Sequence, residues 1–271
     1  MILKNTFGAL ASVLFASPCR ICGEALTNAS RIPICERCLG SFEKIDEPMC
    51  ADCGRPFTAA GAGRVEQPLC RLCRVGFYGF DRARSFAIYD EALSEAVLLL
   101  KYQELTRLGD WFAERLAEVV SRAPGEWRAD IVVPVPLHAD RRRERGYNQA
   151  ELIARPLAER LGIPFDPRVL VRTKPRPPQL VLSRTEHWRS VRGAYAIRPG
   201  ANVDNLRVLL VDDVLTTGAT LDAGARVLKK AGAATVLGLT VGRVRSDLPP
   251  PASVIGWKRP NGKPDGPVEH L

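Results

Sequence analysis

The chain has 271 residues, 46% of them apolar and 25% charged, and 39 Lys and Arg against 30 Asp and Glu give it a net charge of +9. This is the composition of a soluble globular protein with room for one ordinary domain and a smaller one, and it excludes a disordered chain. No apolar run reaches the roughly 18 residues that a membrane-crossing helix requires.

From Ile2 to Phe15, the apolar residues Leu3, Phe7, Leu10 and Leu14 recur at helical spacing, which predicts a helix with one buried face. Lys4 followed by apolar residues also imitates an export signal. However, the zone where cleavage would fall runs into Pro18-Cys19 without a small-x-small site. Pro18 also stands where a lipoprotein signal needs a small residue, so export is not expected.

All eight cysteines fall in Cys-x-x-Cys pairs: Cys19/Cys22, Cys35/Cys38, Cys50/Cys53 and Cys70/Cys73. Such pairs suit tetrahedral thiolate coordination better than four strained local disulfides. Gly23 and Gly54 follow the first and third pairs, where a tight turn aims backbone amides at sulfur. A second pair follows 16 residues on in one half and 20 in the other. The economical assignment is two structural zinc ions. One is held by Cys19, Cys22, Cys35 and Cys38, the other by Cys50, Cys53, Cys70 and Cys73. The alternative is an interleaved pairing, with the first and third knuckles on one ion. Four thiolates leave no open position for water or substrate. Metal binding also replaces the core that roughly 70 residues poor in aromatics cannot build. A thioredoxin-like role is disfavoured because the pairs lie outside any βαβ pattern, and retained thiolates point to a reducing, cytoplasmic compartment.

Beyond the cysteines, Ser85 to Tyr89 reads as a short strand. Glu91 to Tyr102 and Arg107 to Arg122 read as amphipathic helices, the second ended by Pro124-Gly125. Ile131 to Leu137 is an apolar strand running into a Pro-bearing loop, and Gln149 to Leu161 a helix closed by Gly162 and Pro164. Arg172 to Arg192 has no clear period and is expected to be a long mobile loop. Ala194 to Ile197, Val208 to Val211 and Thr235 to Val241 read as strands, and Leu221 to Ala231 as a helix. Strands alternating with helices predict a parallel α/β sheet. The Pro/Gly-rich tail from Ser246 is expected to be disordered. The predicted division is residues 1–80 for the N-terminal helix and cysteine pairs, 81–245 for the α/β domain and 246–271 for the tail.

Between Val208 and Thr220 a buried strand ends in Asp212 and Asp213, then a Thr/Gly turn opens a helix. Ligands of parallel sheets bind at the carboxyl ends of strands. Free amides and the positive dipole at a helix start attract an anion. Gly218 permits close approach, while Thr216, Thr217 and Thr220 add hydroxyl donors, so the turn fits a monophosphate. Asp212 and Asp213 stand a ribose ring away, where carboxylates accept hydrogen bonds from the 2′ and 3′ hydroxyls. No Gly-Lys-Ser/Thr follows, which excludes a P-loop. From Arg141 to Arg192 there are thirteen Arg and Lys against five acids, so nearly the whole charge imbalance lies beside this site and suits phosphates of a nucleotide or nucleic acid.

Val208 to Thr220 resembles the phosphoribosyl-pyrophosphate motif of type I phosphoribosyltransferases. Three further features make residues 1 to 243 similar to the ComF family, competence-associated proteins linked to DNA uptake and use. They are Val133 to His138 followed by Arg143 to Ala150, the segment Pro177-Pro178-Gln179 with Leu182-Ser183-Arg184, and the paired cysteines of a double zinc ribbon. The resemblance implies a type I phosphoribosyltransferase fold, a twisted parallel sheet flanked by helices, preceded by a small zinc-ribbon domain. It implies that Asp212 and Asp213 bind ribose and that Thr216, Thr217, Gly218, Ala219 and Thr220 bind the 5′-phosphate. Pyrophosphate is expected at Val135, Pro136 and Leu137, with Arg141, Arg145 and, more weakly, Lys101. A hood loop carrying Lys174, Arg176, Gln179, Ser183 and Arg184 is expected to close over the substrate. His187 and Ser190 stand where the family pattern has Arg and Asn.

The implied reaction displaces pyrophosphate from the anomeric carbon by a nitrogen nucleophile, with Mg²⁺ on the pyrophosphate and ribose oxygens. The alternative is a factor that keeps the ligand site but handles single-stranded DNA, in company with competence or recombination proteins. Tyr147, Trp188 and Tyr195 lie near the basic stretch, yet each suits packing better than base stacking. The acceptor base and the oligomeric state are not written in the sequence.

Overall fold

The computed structural model describes residues 18–26, 31–46, 48–57, 68–175 and 184–245. The expected N-terminal helix and the tail from Ser246 lie outside the described residues. Two short helices, α1 (Glu36–Gly40) and α2 (Arg71–Arg74), begin after Cys35 and Cys70 and carry Cys38 and Cys73, the second cysteines of those pairs. The α/β part then runs β1 (Arg82–Ile88), α3 (Glu91–Tyr102), α4 (Arg107–Ser121), β2 (Ile131–Pro134), α5 (Ala139–Arg145) and α6 (Gln149–Leu161). It continues through β3 (Leu170–Arg172), α7 (Arg184–Val191), β4 (Tyr195–Ile197), β5 (Arg207–Leu215), α8 (Ala219–Lys230) and β6 (Thr235–Arg243).

The main sheet has the order β1-β6-β5-β2, every pair parallel, and β3 and β4 form a separate antiparallel pair. Val208, Leu209, Leu210 and Val211 are all fully buried, as a central parallel strand covered on both faces demands. Because side chains alternate, Leu209 and Val211 enter a core with Phe112 and Leu157, while Val208 and Leu210 enter a second core with Leu221 and Ala225. The first core takes the inner faces of α3, α4 and α6. Gly109 on α4 meets α6 so closely that a Cβ would lie 2.6 Å from the Leu152 carbonyl oxygen.

Asp90 caps α3 by accepting from Leu93 N at 2.9 Å, and Gly146 and Gly162 end α5 and α6 in the left-handed conformation. Several expectations are corrected. Strand β5 is nine residues long and carries both acids inside it, because its ladder with β6 continues to Leu215↔Arg243. Ala139–Arg145, for which the sequence pattern assigns no element, is helical, with the His138 side chain accepting from Asp140 N. The segment from Arg172 to Arg192 is not one loop: Arg184–Val191 is a helix that buries His187 and Val191. No helix among the described residues is long and apolar enough to cross a membrane.

Candidate functional site

Strand β5 delivers Asp212 and Asp213 to the sheet's carboxyl end, and both are buried. Each accepts a hydrogen bond from the amide that follows it: Asp213 N to Asp212 Oδ1 at 2.9 Å, and Val214 N to Asp213 Oδ1 at 2.8 Å. Lys101, at the last turn of α3, pairs its ammonium with Asp213 Oδ2 at 2.7 Å. The two acids therefore titrate apart. Burial pushes the Asp212 carboxyl well above the usual range, and the neighbouring Asp213 charge adds to this. Burial works the same way on Asp213, but Lys101, then Arg145 and the Val214 amide, outweigh it and hold that carboxyl low.

The turn after β5 opens α8 at Gly218, whose φ of 85° is left-handed. An open space of about 180 Å³, including its mouth to solvent, is lined by Asp212, Thr216, Gly218, Thr220 and Thr240. The first-turn amides of a 12-residue helix point toward this end, those of Thr220 and Leu221 being the ones without an intrahelical acceptor or a bond to Thr217. Thr217 does not face this space. It is buried, its hydroxyl accepts from Ala219 N at 3.2 Å, and it lies 3.0 Å from His187 Nδ1 on α7. Of the three threonines expected around a phosphate, the structure thus brings Thr216 and Thr220 together and turns Thr217 away. Ala219 is buried as the first residue of α8.

The turn after β2 lies beside β5, since Val135 N donates to Val211 O at 2.8 Å. That bond occupies the Val135 amide and Pro136 has none, which leaves the Leu137 amide for an anion. Asn148, buried and missed in the sequence, braces the turn: its Nδ2 donates to Val135 O at 3.0 Å while its Oδ1 caps α6 at Ala150 N. Arg145 stacks over the Tyr102 ring at 4.8 Å and hydrogen-bonds Gln149, facing the Asp213 side of the cleft. Arg141 sits half-buried on α5. Lys101, expected at pyrophosphate, is engaged with Asp213. Lys174 donates to the Arg192 carbonyl at 3.2 Å. Arg184 opens α7, while Arg176, Gln179 and Ser183 lie outside the described residues.

The cysteines resolve into two groups, Cys19/Cys22/Cys35/Cys38 and Cys50/Cys53/Cys70/Cys73, with ligand atoms within 4.8 Å of one another in each. The interleaved pairing is excluded, and no disulfide joins any of the eight. Cys22 Sγ to Cys35 Sγ and Cys53 Sγ to Cys70 Sγ are both 3.7 Å, close to the edge of ~3.8 Å that a tetrahedron of ~2.3 Å Zn–S bonds requires. Amides point at sulfur as expected: Cys35 N to Cys19 Sγ and Cys70 N to Cys50 Sγ, both 3.3 Å. Burial works against ionisation of Cys19, yet the amides of Cys22, Cys35 and Ile21 pull it down to about 6. Burial and the neighbouring thiols push Cys38 up. Thiols this crowded ionise together only around a cation, which is the donor chemistry of a closed structural zinc site.

The connector from Val75 to Phe80 also reaches the site, which no sequence pattern announced. Tyr78 stacks on Phe80 with centroids 4.7 Å apart and covers Gly218, where a Cβ would meet its ring at 2.8 Å. Gly79 N donates to Asp222 Oδ1 of α8 at 2.6 Å.

A family described as phosphoribosyl transferase domain matches residues 148–254, and one described as double zinc ribbon domain matches residues 10–74. The chain is 32% identical over 191 residues to the DNA utilization protein YhgH of Salmonella typhi, covering 69% of this chain and 81% of that one. It is 28% identical over 215 residues to competence protein ComFC of Bacillus subtilis, covering 77% and 83%. Among solved structures it is similar to the glutamine phosphoribosylpyrophosphate amidotransferase from B. subtilis, at 21% identity and a TM-score of 0.36, covering 52% of this chain and 30% of that one.

Proposed function

The chain belongs to the ComF family, and from that premise we propose that it binds phosphoribosyl pyrophosphate with Mg²⁺ at the end of β5 and transfers the phosphoribosyl group to a nitrogen acceptor. The observation that carries this reading is the placement of two buried acids, Asp212 and the Lys101-paired Asp213, beside an open helix start lined by Thr216, Gly218 and Thr220.

On this reading the 5′-phosphate sits against the free amides of α8, with the Thr216 and Thr220 hydroxyls donating to it. Asp213, kept charged by Lys101, accepts from a ribose hydroxyl, and Asp212 takes the other. Arg145 and the Leu137 amide face the pyrophosphate, where they stabilise the charge that builds as the bond from C1 to the leaving oxygen breaks. The electron pair of that bond leaves with pyrophosphate, and the acceptor nitrogen forms the new bond to C1. Mg²⁺ supplies further neutralisation of the leaving group when bound. The division into residues 1–80, 81–245 and 246–271, a cytoplasmic location and two structural zinc ions complete the proposal.

The test is incubation of the purified protein with phosphoribosyl pyrophosphate, Mg²⁺ and a panel of bases, following pyrophosphate release. Binding without release in any mixture defeats the transferase part, and absence of binding defeats the ligand reading altogether.

A second reading, a single-stranded DNA-handling factor, is favoured by the exposed Arg142 and Arg143 on α5 beside the same turn. On that reading single-stranded DNA binds in a salt-sensitive way, and reversing charge at Arg141, Arg142 and Arg143 weakens it. Unchanged affinity in that variant removes α5 from the argument.

A further inference from the structure

The two thiolate groups serve different faces of the sheet. The first, with Cys19 and Cys38, belongs to the core of α3, α4 and α6, and its chain bridges to the outer strand β1, Ile45 N donating to Phe86 O at 3.1 Å. The second, with Cys50, Cys53 and Cys70, belongs to the core that holds Leu215 and Leu221, the residues flanking the phosphate turn, and Ala225 one turn further along α8.

Two routes lead from the second group to that turn. Along the sheet, the buried Arg243 donates through Nη1 to Cys53 O at 2.5 Å and holds its Nη2 3.6 Å from Cys53 Sγ. Arg243 is the ladder partner of Leu215, the residue immediately before Thr216, and Val244 N donates to Leu215 O at 3.1 Å. Through the connector, α2 carries Cys73 and leads directly to Phe77, whose amide donates to Leu72 O at 3.0 Å. Next to it the Tyr78 ring presses on Gly218 and its hydroxyl donates to Thr217 O at 3.4 Å. No described contact of comparable directness runs from the first group to Thr216–Thr220.

We propose that Tyr78 and Arg243 are positioning residues through which the second thiolate group, and not the first, holds the phosphate turn in shape. Gly218, left-handed and without a side chain of its own, lets the Tyr78 ring lie directly against the turn, and that ring is held by a connector that continues from the metal-ligand cluster. Arg243 fixes the other end by tying the strand beside Leu215 to the Cys53 knuckle. The affinity part of this proposal rests on the phosphoribosyl-pyrophosphate reading of the site; the conformational part does not.

The experiment compares full-length wild type with Cys22→Ser, Cys73→Ser, Arg243→Gln, Tyr78→Ala and Tyr78→Phe, measuring zinc content, amide hydrogen exchange of peptides from Leu215 to Leu228, and phosphoribosyl-pyrophosphate affinity. Tyr78→Ala and Arg243→Gln are expected to keep both zinc ions yet exchange faster across that peptide, while Tyr78→Phe, which keeps the ring, behaves as wild type. Cys73→Ser loosens the same peptide; Cys22→Ser loses a metal and leaves it unchanged. If the wild type binds the ligand, Tyr78→Ala weakens it about 3- to 30-fold. If it does not, the exchange pattern still decides the proposal. Equal exchange in wild type, Tyr78→Ala, Arg243→Gln and Cys73→Ser overturns it, as does equal loosening by Cys22→Ser and Cys73→Ser.

Discussion

Lys101 reaches from the end of α3 to Asp213 near the carboxyl end of β5 and closes a 2.7 Å ion pair with it. A lysine that reads from sequence as an anion ligand is thus the counter-ion that keeps one of the two site acids charged. The assignment matters because the Asp213 carboxyl is 8% exposed and has few alternatives to this partner.

Lys101→Met keeps the stem length and removes the charge. It is expected to destabilise the fold by about 1–3 kcal/mol, less than the loss of a fully buried pair because the Lys101 side chain retains 19% exposure. Asp213 is held below its ordinary value, so its contribution is present above the unfolded pKa of about 3.9 and lost as pH falls through the lowered folded value. Denaturation curves of wild type and variant should therefore converge below about pH 4 and stand apart at neutral pH. A gap independent of pH across this range refutes the pairing.

Asp212→Asn acts with the opposite sign. The Asp212 carboxyl is raised, so wild type loses stability as pH rises from its unfolded value, about 3.9, to its higher folded value. Without ligand, the variant should match wild type at low pH and become relatively more stable upward, levelling off above the folded pKa. Urea midpoints measured between about pH 4 and 9 check this, and a variant less stable than wild type at alkaline pH contradicts it.

The threonines of the turn should separate. Thr216→Val and Thr220→Val remove hydroxyls that line the open space, and each is expected to cost about 1–3 kcal/mol of phosphoribosyl-pyrophosphate binding by calorimetry. Thr217→Val removes a hydroxyl that faces His187 and the Ala219 amide, so affinity should fall less. A Thr217 loss larger than both others would place its hydroxyl on the ligand after all.

Elemental analysis should find two zinc ions per chain and one in Cys22→Ser, because each ion draws its ligands from one half only. Simultaneous loss of both ions from Cys22→Ser would be incompatible with that separation.

Periodicity carried most of the fold. Glu91–Tyr102 and Gln149–Leu161 were legible to the residue, since each has an apolar face and a polar cap, Asp90 or Asn148. The sequence pattern stops β5 four residues before its carboxyl end because acids rarely occupy strand interiors, and only the ladder with β6 shows that Asp212 and Asp213 belong there. Helix α7 escapes the sequence pattern because, among its described side chains, only His187 and Val191 are buried, too few to set a period. The acid pair and helix start declared themselves in one stretch of sequence. The direction of Thr217, the partner of Lys101 and the cover over Gly218 did not, because each depends on a residue at least 30 positions away.

The strand order also bears on how the chain acquires its shape during synthesis. Each thiolate group closes a short loop, 16 or 20 residues between a sulfur and the amide that faces it, so both can form while later segments are still being made. Strand β1 takes an early bridge from Lys44 to Ala87 on one edge, but its other edge pairs with β6, and the Asp81 carboxylate just before it accepts from Val236, 155 positions on. The last of the described strands, β6, lies between β1 and β5, so the edges that face it stay open until the ribosome has released residues near 243. A chain stopped after α8 would therefore carry finished metal loops on an unfinished sheet, with two unpaired parallel edges free to join those of other nascent chains.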